Sequence, residues 1–204
     1  MMPAGKSISE VVVAFIAERQ STIAMVQARS SMCGTPSSRQ TRYHWQMKPK
    51  VYIETSVISY LTARPSRDVI VLAHQEMTRQ WWEQRRQAFD IFTSPLVWFE
   101  ASRGDAQAAR QRLDVIEKIT SVDEQSDTGK VAQQLIAAAH LPASALTDAA
   151  HVALAAQAGM DYLLTWNCKH IANAEIERAL AKSLDGLGLV CPVLCTPGEL
   201  MGVN

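Results

Sequence analysis

Beyond Met47 the chain alternates short apolar runs with longer segments of helical period, and that rhythm admits few architectures. Val51-Tyr52-Ile53 predicts a strand of the fully buried type. A short helix is expected over 57–62. A long one, capped by Ser66, is expected over 66–88, where Ile70, Ala73, Met77 and Trp81 recur at helical spacing. A second strand over 89–93 leads to Ser94, an N-cap residue with Pro95 at the first helical position. Further helices are expected over 105–118, 123–140, 147–158 and 173–184, with Thr147 capping the third of these and Gly159 ending it. Further strands are expected over 119–122, 162–165 and 189–193. Such alternation implies an α/β fold, a three-layer sandwich whose mostly parallel central sheet carries helices on both faces. Ligands of such sheets bind beyond the carboxyl ends of the strands. The residues that follow each strand are therefore the first candidates for chemistry.

Residues 1–46 read differently. A helix is expected over 8–28, then a linker over 30–46 rich in Ser, Thr, Arg and Gly. Met47 resembles a natural start, so 1–46 is read as an extension and 47–204 as the folded domain. Lys+Arg and Asp+Glu balance at 20 each, which excludes a global basic field. Contact with a polyanion would need a local patch or a cation. Cys33, Cys168, Cys191 and Cys195 form no CxxC pair, and reduced thiols are expected. No apolar run approaches the ~20 residues of a membrane span, and no signal peptide is read. The expected location is cytoplasmic, away from membranes.

Glu54 directly follows the first expected strand. Glu100 lies in the helix after the second, within the apolar run from Pro95 to Ala101. Asp148 opens its helix after Thr147, and Asn167 stands just beyond the strand that ends at Thr165. Taken singly, each has an ordinary structural reading; Asp148, for instance, suits the positive end of a helix dipole. Together, at one end of a parallel sheet, they suggest a site for a hard divalent ion such as Mg2+ or Mn2+, which prefers oxygen ligands. Crowded carboxylates repel one another and hold protons until a cation relieves them.

Four segments carry a family resemblance. Tyr52-Ile53-Glu54-Thr55-Ser56-Val57-Ile58-Ser59 resembles the opening motif of PIN-domain nucleases. Phe92-Thr93-Ser94-Pro95-Leu96-Val97-Trp98-Phe99-Glu100 resembles their strand-to-helix segment ending in Glu. The stretch from Leu146 to Ala155 resembles the third motif, a helix-opening Asp followed by small residues, and that from Leu163 to Ile171 the fourth. The match spans about 50–193 in the expected order, and the VapC-like toxins of type II toxin–antitoxin pairs are the most similar group. The resemblance implies a PIN-like fold and Mg2+-dependent endoribonuclease activity. It also implies an RNA substrate, a homodimer and a cognate antitoxin. Glu54, Glu100, Asp148 and Asn167 then become the metal-holding and catalytic set, supported by Thr55, Ser56 and Thr165. Two departures stand out: Glu54 occupies a place where most of the family has Asp, and Asn167 is neutral. Both favour the rival reading, a silent module that binds RNA or an antitoxin without cutting.

Some residues carry two readings. Thr55 and Ser56 bond the first carboxylate or a bound water, or else only shape a turn. His151, one helical turn after Asp148 on the same face, is read first as a satisfied structural histidine. Lys169 and His170 meet phosphate or lie in a solvated loop. Trp81 and Trp82 are read as packing rather than base-stacking residues. A nucleotide-binding reading fails, because no glycine-rich phosphate loop follows any strand.

Overall fold

The computed structural model describes residues 48–202; the expected helix over 8–28 and linker over 30–46 lie outside the described residues. Strand β1 (Lys50–Ile53) has Val51, Tyr52 and Ile53 at 0% exposure, as an apolar run with neighbours on both sides and both faces demands. It pairs in parallel with β2 (Asp90–Thr93) on one side and β4 (Tyr162–Leu164) on the other. Strand β3 (Thr120–Ser121) extends the sheet beyond β2, and β5 (Val193–Cys195) beyond β4. The order is β3-β2-β1-β4-β5, all parallel.

Helices α1 (Thr55–Thr62), α2 (Val69–Gln84), α3 (Pro95–Ala101) and α4 (Ala106–Ile116) connect β1 to β2 and β2 to β3. Helices α5 (Thr128–Ala138) and α6 (Leu146–Gln157) connect β3 to β4, and α7 (Ala174–Asp185) connects β4 to β5. Contacts follow the same division: α1 packs on α2, α3 and α4, while α5 packs on α6 and α7. The chain moves outward from β1 to β3, then crosses back to β4. Right-handed crossovers therefore place the two helix groups on opposite faces. The order reverses between β1 and β4, and that switch point is where such sheets open a crevice at their carboxyl ends.

Local chemistry sets the helix ends. Asp68, not Ser66, caps α2, accepting at Oδ1 from the amides of Ile70 and Val71 at 2.9 and 3.1 Å. Ser66 instead donates its amide to Gln75 Oε1 and accepts from the Asp68 amide. The buried stripe of α2 keeps Trp81 of the expected set but otherwise consists of Gln75 and Thr78, and Ile70 is 69% exposed. Both buried polar side chains are satisfied, Gln75 by Arg64 and Ser66 and Thr78 by His74 and Trp166. Ser94 and Asp105 cap α3 and α4, and Asn173 caps α7. Thr147 does not cap α6, because a 3-10 turn over Ala143–Ala145 runs straight into that helix. Helix α5 begins five residues later than expected, and Thr128 at its start donates to Gln157 at the end of α6 at 2.6 Å. The last strand lies later than 189–193, since Pro192 has no amide hydrogen. The ladder begins at Val193, whose amide donates to the Asp161 carbonyl at 2.9 Å.

Helix α6 carries Asp148 and His151 and leans on α5, where Leu135 is 0% exposed. Leu135→Ala should lower unfolding stability by roughly 2–5 kcal/mol, read by urea denaturation. A loss below ~1 kcal/mol would show that this contact does not hold α6 in place.

Candidate metal centre

The carboxyl end of β1 delivers Glu54 into the crevice beside β4. Its amide is held by the Leu164 carbonyl at 3.1 Å, and its side chain caps α1 by accepting from the Ser56 amide at 3.1 Å. The residue is 7% exposed, so its charge needs donors. They are the Ser56 amide, the Ser56 hydroxyl and Thr165 Oγ1, the last at 2.8 Å, and all reach Oε2. Ser56 Oγ in turn accepts from the Trp166 amide at 2.8 Å, and Thr165 Oγ1 from the Asn167 amide at 2.9 Å. The segments after β1 and β4 are thus stitched together around one carboxylate oxygen.

Glu100 comes from the last turn of α3 and Thr55 from the first turn of α1. The Thr55 hydroxyl donates to Glu100 Oε2, and His151 Nε2 stands 3.0 Å from the same oxygen. Among the described residues no hydrogen bond reaches Oε1 of either Glu54 or Glu100. One oxygen of each carboxylate is positioned by the protein, and the other is left for a ligand.

His151 is 1% exposed and lies between two oxygen partners. Its Nδ1 is 2.9 Å from the Tyr52 hydroxyl, which is 2.6 Å from Ser94 Oγ. Burial, reinforced by the charges of Glu54 and Glu100, outweighs the Ser94 hydrogen bond and raises the Tyr52 hydroxyl above its ordinary range, so it stays protonated. Burial alone would raise the Glu100 carboxyl. The His151 hydrogen bond and charge, with Thr55 and Arg103, overcome that and hold it below its ordinary value. Burial alone would lower His151. The Glu100 hydrogen bond and the charges of Glu54, Glu100 and Asp148 raise it instead.

One ligand atom each from Glu54, Glu100 and His151 lie within 4.8 Å of one another. Two carboxylates and an imidazole fit a divalent ion, since hard and borderline cations accept this donor set. The other two expected ligands are placed differently. Asp148 lies on α6 one turn before His151, and its Oδ2 is 2.8 Å from His170 Nδ1. Asn167 Oδ1 accepts from the amides of Lys169 and His170 at 3.3 and 3.0 Å, an Asx-type turn that shapes the loop after β4. Ser56 and Thr165 bond Glu54, while Thr55 bonds Glu100 rather than the first carboxylate. Trp81 is fully buried and packs on Trp82 and Phe89. His151, read first as a satisfied structural histidine, is indeed buried with a partner at each nitrogen, and it also stands in the group formed by the two carboxylates.

No family model and no curated protein matches the chain. Several solved structures are similar to it at low identity. VapC20 of Mycobacterium tuberculosis, a toxin that cleaves the sarcin–ricin loop, is 14% identical with a TM-score of 0.47, over 59% of this chain and 92% of that one. VapBC2 of Rickettsia felis, bound to a fragment of its promoter DNA, is 13% identical with a TM-score of 0.46, over 72% and 98%. FitAcB of Neisseria gonorrhoeae is 16% identical with a TM-score of 0.43, over 72% and 97%. Among the described residues no helix is long and apolar enough to cross a membrane.

The paired shifts of Glu100 and His151 set a stability window for the ion-free chain. A carboxyl held below 4.5 contributes above that value and loses its contribution as pH falls through its folded-state value. A histidine held above 6.5 contributes below that value and loses its contribution as pH rises through its own. The melting-temperature advantage of the parent over Glu100→Gln, measured in chelator, should therefore be largest between 4.5 and 6.5 and shrink on both sides. An advantage that keeps growing from pH 6.5 to 8 would contradict the assigned pairing.

Proposed function

We propose that this chain is a PIN-type, divalent-metal-dependent endoribonuclease, the toxin of a toxin–antitoxin pair, acting in the cytoplasm. The observation that carries the reading is the meeting of Glu54 and Glu100 at the β1/β4 switch point, each with one oxygen held and one free. The four motifs that resemble the PIN family supply these same residues in order.

Mg2+ or Mn2+ at this site would offset the repulsion between carboxylates and phosphate, and would make a water a better nucleophile. The protein's part is positioning. Ser56 and Thr165 orient Glu54, and Thr55 orients Glu100, so neither carboxylate has to reorganise when the cation and a phosphodiester arrive. Asp148, whose charge is felt at His151, borders the pair and completes the acidic edge. Exposed Lys169, in the turn shaped by Asn167, offers cationic contact to the RNA backbone on a chain with no net charge. An antitoxin partner and a homodimer belong to this reading through the family resemblance.

The test is cleavage of end-labelled RNA by the full chain with Mg2+ or Mn2+. Glu100→Gln should lose more than the ~10–100-fold that removing an outer partner of a metal ligand costs, and Asp148→Asn should lose cleavage by up to that factor, with circular dichroism unchanged in both. Equal cleavage by both variants and the parent would show that the site is misassigned. The engagement of Asp148 by His170 and of Asn167 by its own loop favours a second reading, a silent RNA- or antitoxin-binding module. That module would bind neither Mg2+ nor Mn2+ in a calorimetric titration.

A further inference from the structure

We infer that His151 is itself a ligand of the divalent ion, the third donor beside Glu54 and Glu100, and that it biases the site toward Mn2+ over Mg2+. This rests on the metal-dependent reading above and extends it to the choice of ion.

Three observations support it. The group whose ligand atoms converge within 4.8 Å is Glu54, Glu100 and His151, with Nε2 of the imidazole 3.0 Å from Glu100 Oε2, a contact that an ion between them replaces. Asp148, the oxygen donor expected there, is instead paired with His170 at 2.8 Å. The far side of the ring is also prepared. A histidine that ligates through Nε2 keeps its hydrogen on Nδ1 and donates it to an oxygen, which fixes the tautomer and the ring plane. Here Nδ1 meets the Tyr52 hydroxyl at 2.9 Å, and that hydroxyl can pass its own hydrogen on to Ser94 Oγ at 2.6 Å. Tyr52 is anchored in the central strand and Ser94 at the N-cap of α3, and both are at most 1% exposed, so the acceptor cannot swing away.

The chemical consequence is selectivity. Mg2+ demands near-ideal octahedral oxygen coordination and sheds water reluctantly. An imidazole donor suits first-row transition ions better, and Mn2+ also accepts the two carboxylates. With Asp148 turned to His170, the three-residue donor set is one that Mn2+ satisfies and Mg2+ satisfies poorly.

The experiment is Mn2+ binding to the full chain, read by calorimetry and by pulsed electron paramagnetic resonance, with Mg2+ titrated in parallel. The parent should bind Mn2+ at least ~10-fold more tightly than Mg2+ and show a directly coupled imidazole nitrogen on the bound Mn2+. His151→Gln should lose that coupling and most of the preference, with Mg2+ affinity nearly unchanged. His170→Gln should keep the coupling. Tyr52→Phe removes the Nδ1–H acceptor while retaining the ligand, so coupling should persist with Mn2+ affinity reduced ~10-fold. If His151→Gln does not fold, the parent and His170→Gln spectra still decide. Tight Mn2+ binding without nitrogen coupling, or coupling that disappears in His170→Gln, overturns the inference and leaves the nuclease reading standing. Failure of the parent to bind either ion overturns both.

Discussion

Everything at the candidate centre follows from β1 being paired in parallel on both sides. A strand so placed has little room for charge between its first residue and its carboxyl end, so the next charged residue after Lys50 comes where the ladder stops. That residue is Glu54, and its own amide is still held by the last carbonyl of β4. The same reversal of strand order that leaves a crevice between β1 and β4 brings Thr165 and the Trp166 amide to the Glu54 side chain and its Ser56 partner. A nearly buried carboxylate is tolerated because two loops from distant parts of the chain supply its donors.

The second carboxylate is held by a different logic. Glu100 is presented by a seven-residue helix whose start is set by Ser94 and Pro95. Ser94 also ends the hydrogen-bonded series that runs through Tyr52 and His151 to Glu100. The residue that starts α3 and the residue near its end are therefore joined through the interior, by way of the central strand and α6. A change at Ser94 would be felt as both a helix-capping defect and an altered orientation of His151.

Much of this was legible in the sequence. The parallel sheet, the cap at Ser94 and the acids at the strand ends all follow from periodicity and residue type, because each depends on neighbours within a few positions. The misreadings share one cause, which is that tertiary partners outvoted local preference. Ser66 looked like a cap until Gln75 claimed its amide, and Ile70 looked like core until Gln75 and Thr78 found partners that allowed them to be buried. Asp148 and Asn167 follow their strands as expected. Where their oxygens point was decided by His170 and by the loop after β4, neither of which leaves a periodic trace. His151 was visible as a neighbour of Asp148, but its dual engagement with Tyr52 and Glu100 depends on contacts 99 and 51 residues away in the chain.

The sheet's two margins have a consequence of their own. β3 is two residues long, and β5 is three residues long with Pro192 immediately before it and Pro197 shortly after. Neither margin offers a run of free backbone groups long enough for another chain to continue the ladder, and the prolines remove donors where an added strand would need register. Association by strand addition is thereby discouraged at both ends. A protein that recognises this domain must read side chains on its helices and loops, and its specificity can change by surface substitution without disturbing the sheet that aligns the acids.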